Sequence, residues 1–138
     1  MGDDRDKKGL SGRRSRSFVV LIVEDDPMLS KLYAEKFRFD GLNAIVANDG
    51  KTGLELATEK NPDTILLDMM LPGFSGFALL EELQKHPRGK YIPVVALTNL
   101  TDKRDANRAY KLGAKEYLAK AMHTPESVVE VVKGTLPR

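Results

Sequence analysis

Five times along this chain a short run of β-type apolar residues is followed by a stretch with helical spacing, and that alternation constrains the fold more than any other feature. Phe18 to Val23, Leu42 to Ala47, Thr64 to Leu67, Tyr91 to Leu97 and Glu116 to Ala119 read as strands. Between them, Leu29, Leu32, Tyr33 and Phe37 recur at helical spacing until Gly41 stops the run, and a short helix follows Asn48-Asp49-Gly50 to about Lys60. Phe77, Leu80 and Leu83 mark a third helix broken by Pro87. A fourth starts at about Asp102 with Ala106, Ala109, Tyr110 and Gly113 on one face. Thr124-Pro125 reads as an N-cap with proline at the first helical position, ahead of Val128, Val129 and Val132. The connections are too short for anything but crossover helices. The expectation is an α/β fold: a parallel sheet with helices on both faces and right-handed crossovers, without repeats or a second domain.

The first and third runs have too little polarity for surface strands and read as buried on both faces. The third lies inside Pro62 to Gly73, P-D-T-I-L-L-D-M-M-L-P-G. Its last apolar residue is followed at once by Asp68, and Pro72-Gly73 then breaks the chain. A carboxylate is thus expected on a loop at the carboxyl end of a buried strand, the end where open parallel sheets bind ligands. The other strands end in chemistry too: Glu24 and Asp25 after the first, Thr98 after the fourth, Lys120 after the fifth. A doubly wound sheet in the order 2-1-3-4-5 sets the first and third strands side by side. Glu24, Asp25 and Asp68 then share one mouth, with Thr98 and Lys120 along its rim.

Carboxylates that close repel one another unless something positive neutralises them. The chain has no cysteine and only two histidines, His86 and His123, so thiolate and histidine-built metal sites are excluded. An all-oxygen cluster suits a hard divalent cation, magnesium or manganese. Beside such an ion a carboxylate can attack a phosphoryl group and hold it as an acyl phosphate. Lys120 adds positive charge for the transferred oxygens, and Thr98 can donate a hydrogen bond to one of them. Each residue also has a plainer reading. Glu24 to Asp26 could cap the first helix, Asp68 could turn its loop, Thr98 could be a strand end and Lys120 could be solvated.

At 138 residues, 41% hydrophobic and 30% charged, the chain suits one ordinary globular domain. The longest apolar run is six residues, Phe18 to Val23, too short for a membrane helix or a signal-peptide core, so the cytoplasm is the expected compartment. The net charge of +2 is uneven. Residues 1–17 hold six basic and three acidic residues with almost nothing apolar, and are expected to be disordered. The remainder carries 16 basic and 17 acidic residues, which argues against nucleic-acid binding by the folded part. The Arg/Ser cluster S-G-R-R-S-R-S reads as a solvated tail, or as a contact for an acidic partner or RNA.

Four pieces of the chain carry a family resemblance: V-L-I-V-E-D-D-P, I-L-L-D-M-M-L-P-G-F-S-G, V-V-A-L-T-N and G-A-K-E-Y-L-A-K. In this order and spacing, residues 18–138 resemble the receiver domain of bacterial two-component response regulators. The resemblance implies the flavodoxin-like (βα)5 receiver fold and a signalling module rather than an enzyme. It implies Asp68 as phosphoacceptor, Glu24, Asp25, Asp68 and the carbonyl of Met70 as ligands of Mg2+, and Thr98 and Lys120 as phosphoryl contacts. With Thr98, Tyr117 falls at the switch, as the aromatic that changes rotamer on activation. The implied partner is a sensor histidine kinase or a phosphotransfer protein. Met70 and Leu100 fall at positions bordering the path of a hydrolytic water, and both are apolar. The family usually has proline after the lysine, joined by a cis bond. Ala121 stands here, and a cis bond without proline costs about 2.5–4 kcal/mol, so a trans bond and a reshaped loop are expected. Asn99, where a smaller residue is common, puts an amide beside the phosphoryl site.

Three other readings compete. A haloacid-dehalogenase-like phosphatase typically has a second aspartate two residues after its nucleophile, where this chain has Met70. A flavodoxin-like cofactor binder needs Ser, Thr and Gly after the first strand to wrap a phosphate, and E-D-D-P would repel one. A receiver-like scaffold that is never phosphorylated would have no need of the complete acidic set. The chain ends at Arg138, just after the fifth helix, which fits a single-domain regulator or a piece of a longer protein.

Overall fold

The computed structural model describes residues 17–99 and 102–137. The expected disorder of residues 1–17 falls, apart from Ser17, outside the described residues, as does Leu100. Ten main elements alternate: β1 (Val19–Val23), α1 (Pro27–Phe39), β2 (Asn43–Ala47), α2 (Gly50–Lys60), β3 (Thr64–Asp68), α3 (Gly76–Lys85), β4 (Val94–Thr98), α4 (Lys103–Lys111), β5 (Glu116–Ala119) and α5 (Pro125–Lys133). The sheet is parallel throughout, in the order β2-β1-β3-β4-β5.

Side chains on a strand alternate between faces, and this alternation divides the core in two. Leu21, Val23, Ile65, Leu67, Val94 and Ala96 pack under α2, α3 and α4 with Phe77, Leu80 and Leu83. Val20, Ile22, Leu66, Val95 and Leu97 face the other way and meet Tyr33 and Phe37 of α1 with Val128, Val129 and Val132 of α5. Both faces of the central strands are therefore dry, as the unbroken apolar runs predict.

The helix starts are built from local capping chemistry. Asp26 accepts from the backbone N–H groups of Met28 and Leu29, Asp49 from Thr52, Ser75 from Ala78, Asp102 from Arg104 and Thr124 from Ser127. Each cap satisfies donors that the first helical turn leaves without partners. Pro27 and Pro125 occupy first-turn positions, where no N–H is needed.

Several expectations need correction. β4 begins at Val94, and Tyr91 lies instead in a 3-10 turn, Gly89–Tyr91, and is 77% exposed. Pro93 has no N–H to donate and meets β3 only as an acceptor, its carbonyl taking the Ile65 N–H at 3.0 Å, and regular pairing runs from Val94 onward. Asp68 is the last residue of β3, in register with Leu97, and not a loop residue. In α1 the buried set is Ser30, Tyr33, Ala34 and Phe37, while Leu32 turns outward. In α4 only Ala109 is buried; Tyr110 is exposed, and Gly113 lies beyond the helix with φ of 102°. That left-handed backbone is one that glycine adopts without steric penalty.

Candidate phosphoryl and metal site

β1 and β3 are hydrogen-bonded neighbours, with Val23 opposite Leu67. The next residue on each strand, Glu24 and Asp68, therefore emerges at the same level of the sheet. Both are buried, 2% and 3% exposed, although each carries a carboxyl group. Asp25 follows Glu24 and stays exposed to solvent. Carboxylate oxygens of Glu24, Asp25 and Asp68 lie within 4.8 Å of one another.

Each buried carboxylate is held at both oxygens. Asp68 Oδ1 accepts from the Met70 N–H at 2.9 Å, and Oδ2 faces Lys120 Nζ at 3.4 Å. Glu24 Oε2 accepts from the Asp26 N–H at 3.1 Å, and Oε1 accepts from the same ammonium at 3.2 Å. Lys120 thus bridges the two from the end of β5, across the sheet. Burial raises the Glu24 carboxyl to about 7, and the negative charge of Asp68 adds to that rise; the Asp26 N–H and Lys120 oppose it. Burial pulls Lys120 downward, but the charges of Asp68 and Glu24 outweigh it and leave the ammonium above its ordinary value. Tyr33, packed beneath, is pushed up to about 12 by burial and by the same two carboxylates.

The plainer readings separate here. Asp26 alone caps α1, whereas Glu24 points into the cluster. Lys120 is only 21% exposed at its side chain and pairs with both acids. The described peptide bonds include no cis bond, so Lys120–Ala121 is trans, as Ala121 implies. Lys120 to Met122 form a short 3-10 turn after β5, and the ammonium still reaches the cluster. Thr98 is fully buried at the end of β4, one residue past Leu97, the register partner of Asp68. Asn99 beside it is exposed. Tyr117 is half-buried against the Tyr110 ring, with centroids 6.4 Å apart. Its hydroxyl is buried without a well-formed hydrogen bond. Burial pushes that hydroxyl up, and a looser contact with Thr98 offsets part of the rise. Met70, half-exposed, stands at the mouth.

Three supporting residues escaped the sequence reading. Asn48 Nδ2 donates to the Glu24 carbonyl at 2.8 Å and to Ser30 Oγ at 3.3 Å, while Ser30 Oγ donates to the Pro27 carbonyl at 3.1 Å. Together Asn48 and Ser30 tie down the loop that carries Glu24 and Asp25. The signal was available, since Asn48 directly follows β2, the neighbour of β1; as part of Asn48-Asp49-Gly50 it reads only as a turn. Gly76 is the third. A Cβ there would meet Met69 Cα and Sδ at 2.7 Å and the Asp68 carbonyl at 3.0 Å, so only glycine lets α3 start this close to Asp68.

Against known proteins, the model of the response regulator receiver domain matches residues 20–133. The chain is 36% identical over 112 residues to the DNA-binding dual master transcriptional regulator RpaA of Synechocystis, covering 81% of this chain and 46% of that protein. It is 33% identical over 117 residues to the polar-differentiation response regulator DivK of Brucella ovis, covering 85% of this chain and 94% of that one. The chain spans about half the length of the first curated relatives it matches. A crystal structure of a putative response regulator from Chloroflexus aurantiacus superimposes with a TM-score of 0.79 at 30% identity, over 89% of this chain and all of that one. Chemotaxis protein CheY4 of Vibrio cholerae matches the fold with a TM-score of 0.81 at 23% identity, over 88% of this chain and all of that one. Among the described residues no helix is long and apolar enough to cross a membrane. The family match, which covers most of the chain, agrees with the parallel sheet order and the acidic mouth: this chain belongs to the response regulator receiver domains of two-component signalling.

Proposed function

We propose that this receiver accepts a phosphoryl group on Asp68 from the phosphohistidine of a sensor kinase or phosphotransfer protein. The observation that carries the proposal is the buried Asp68 carboxylate, bridged to Glu24 by Lys120 with Asp25 within 4.8 Å. A capping or turn-forming aspartate has no need of two acidic neighbours and a cation drawn from a distant strand.

The donor set fits a hard divalent ion, because it is all oxygen and one ammonium leaves three carboxylates short of positive charge. Glu24, Asp25, Asp68 and the Met70 carbonyl would hold Mg2+, which supplies charge neutralisation to the phosphoryl oxygens when bound. In the transfer, an Asp68 oxygen forms a bond to phosphorus as the P–N bond of the donor imidazole breaks, and the imidazole nitrogen leaves with the electron pair and takes up a proton. Lys120 contacts the transferred oxygens, and the Thr98 hydroxyl turns to donate to one of them. A Thr98 side chain drawn toward Asp68 moves away from Tyr117, whose unsatisfied hydroxyl and half-buried ring can then change place. This is signalling by a change of surface, and no substrate is turned over.

Intact-mass measurement after incubation with acetyl phosphate tests the reading. A phosphoryl adduct is expected only with a divalent ion, and none with Asp68→Asn. An equally labile adduct on Asp68→Asn sinks the assignment.

A further inference from the structure

We propose that the groove between α1 and α5 is a docking site for an arginine segment of the same chain, residues 10–16. The groove has a volume of about 480 Å3 and is lined by residues of both helices. Its apolar lining is Leu32, Phe39 and Val129, and Phe39 is 92% exposed. Its walls carry Glu35, Asp40, Glu126 and Glu130, four carboxylates that meet two described ammonium groups, Lys36 and Lys133. Lys36 pairs with Glu126 at 2.8 Å. Lys133 serves both Asp40 at 3.1 Å and Glu130 at 3.3 Å, so one ammonium answers two carboxylates. Glu35 has no ion pair with a described residue. The groove is net acidic with apolar residues in its lining.

An occupant of matching chemistry carries several cations and one apolar side chain. Residues 10–16 read Leu-Ser-Gly-Arg-Arg-Ser-Arg, with three arginines, no acid and one apolar side chain in Leu10. The segment joins the fold beside the groove: the Phe18 carbonyl accepts from Asn43 N at 2.9 Å, next to the Asp40–Gly41 turn that ends α1. From Asp40 back to Glu35 along the helix is about 7.5 Å. The chain from Leu10 to Ser17 can span roughly 25 Å when extended. Arginine forks suit carboxylates, and Leu10 can cover the Phe39 ring. Exposed ion pairs are individually weak. A short tether, however, holds the segment at an effective concentration on the order of millimolar. The proposal stands on the groove and its charge and is independent of the phosphoacceptor reading.

The chain has no cysteine, so Ser11→Cys carries a single nitroxide label on the 138-residue chain. Paramagnetic broadening is expected at amides of residues 32–40 and 126–130, reduced about threefold or more in about 0.5 M salt. Replacing Arg13, Arg14 and Arg16 by glutamate in the labelled chain, or Glu35→Lys with Glu130→Lys on the groove, should reduce it to the same degree. Equal broadening in the charge-reversed chains overturns the proposal, since attachment alone would then explain it. Broadening found only when label and isotope sit on different molecules also overturns it, in favour of a second copy as occupant.

Discussion

Lys120→Met removes the one cation among the described residues that faces both buried carboxylates, and the structure sets what this should cost. The ammonium lies 3.2 Å from Glu24 and 3.4 Å from Asp68, both carboxylates being 3% exposed at the side chain. At such distances a charge pair is worth roughly 5 kcal/mol at an effective dielectric constant of about 20, before desolvation is subtracted. Deleting one partner of a buried pair typically costs about 3–5 kcal/mol. Here the lower end applies, because the lysine side chain is 21% exposed and Glu24, raised to about 7, can take up a proton instead. The expected loss is about 3 kcal/mol near pH 8, or roughly 10 °C in Tm for a domain of this size.

The pH dependence follows from the same carboxyl. Its folded value lies above its ordinary value of 4.5, so the folded state holds the proton more tightly. That contribution is fully present below about 4.5 and is lost as pH rises through about 7. Without a divalent ion, the wild type should therefore lose stability from this group between about pH 5 and pH 8, and Lys120→Met should lose it more steeply. At about pH 5.5 the cost of the substitution should shrink to about 1 kcal/mol, and saturating magnesium at pH 8 should recover most of the rest. Urea unfolding at the two pH values, with magnesium and with chelator, reads all four conditions. A cost that is equal at both pH values and unchanged by magnesium refutes the electrostatic reasoning and leaves Lys120 a packing residue.

Met70→Asn, and Leu100→Lys at a position outside the described residues, should each speed phosphoryl decay about tenfold in magnesium without a kinase, by giving the hydrolytic water a polar partner; an unchanged lifetime in both removes the shielding role and leaves apolar docking. Amide exchange before and after acetyl phosphate treatment should change protection in residues 98–120, around Thr98 and Tyr117; changes confined to residues 24–50 would contradict the switch. Gly76→Ala should cost about 1–3 kcal/mol by urea unfolding and lower the labelling rate, because the new methyl meets Met69 and the Asp68 carbonyl. A labelling rate equal to wild type would show that α3 shifts without disturbing Asp68.

What the sequence by itself determined is the order of the elements and the ends of the strands that matter. Short unbroken runs bounded by turn signals, such as Ile65 to Leu67, read as strands dry on both faces, and the short links between strands point to parallel crossovers, which gather the acidic groups at one edge. Capping and turn signals are local chemistry, which is why Thr124-Pro125 marks a helix start correctly. Periodicity reports that a residue is apolar, but the neighbouring elements decide whether that apolar side is covered. Leu32 and Tyr110 therefore turn outward despite their spacing, and Tyr91 is left outside β4, which begins only after Pro93, a residue with no N–H to donate. The tertiary structure alone decided that Glu24 is buried while Asp25 is not, and that Lys120 bridges the two buried acids despite the trans bond after it. It alone recruited Asn48 to hold the Glu24 loop. Those facts depend on which strands stand side by side and on how deep each side chain lies, and neither quantity is local in the chain.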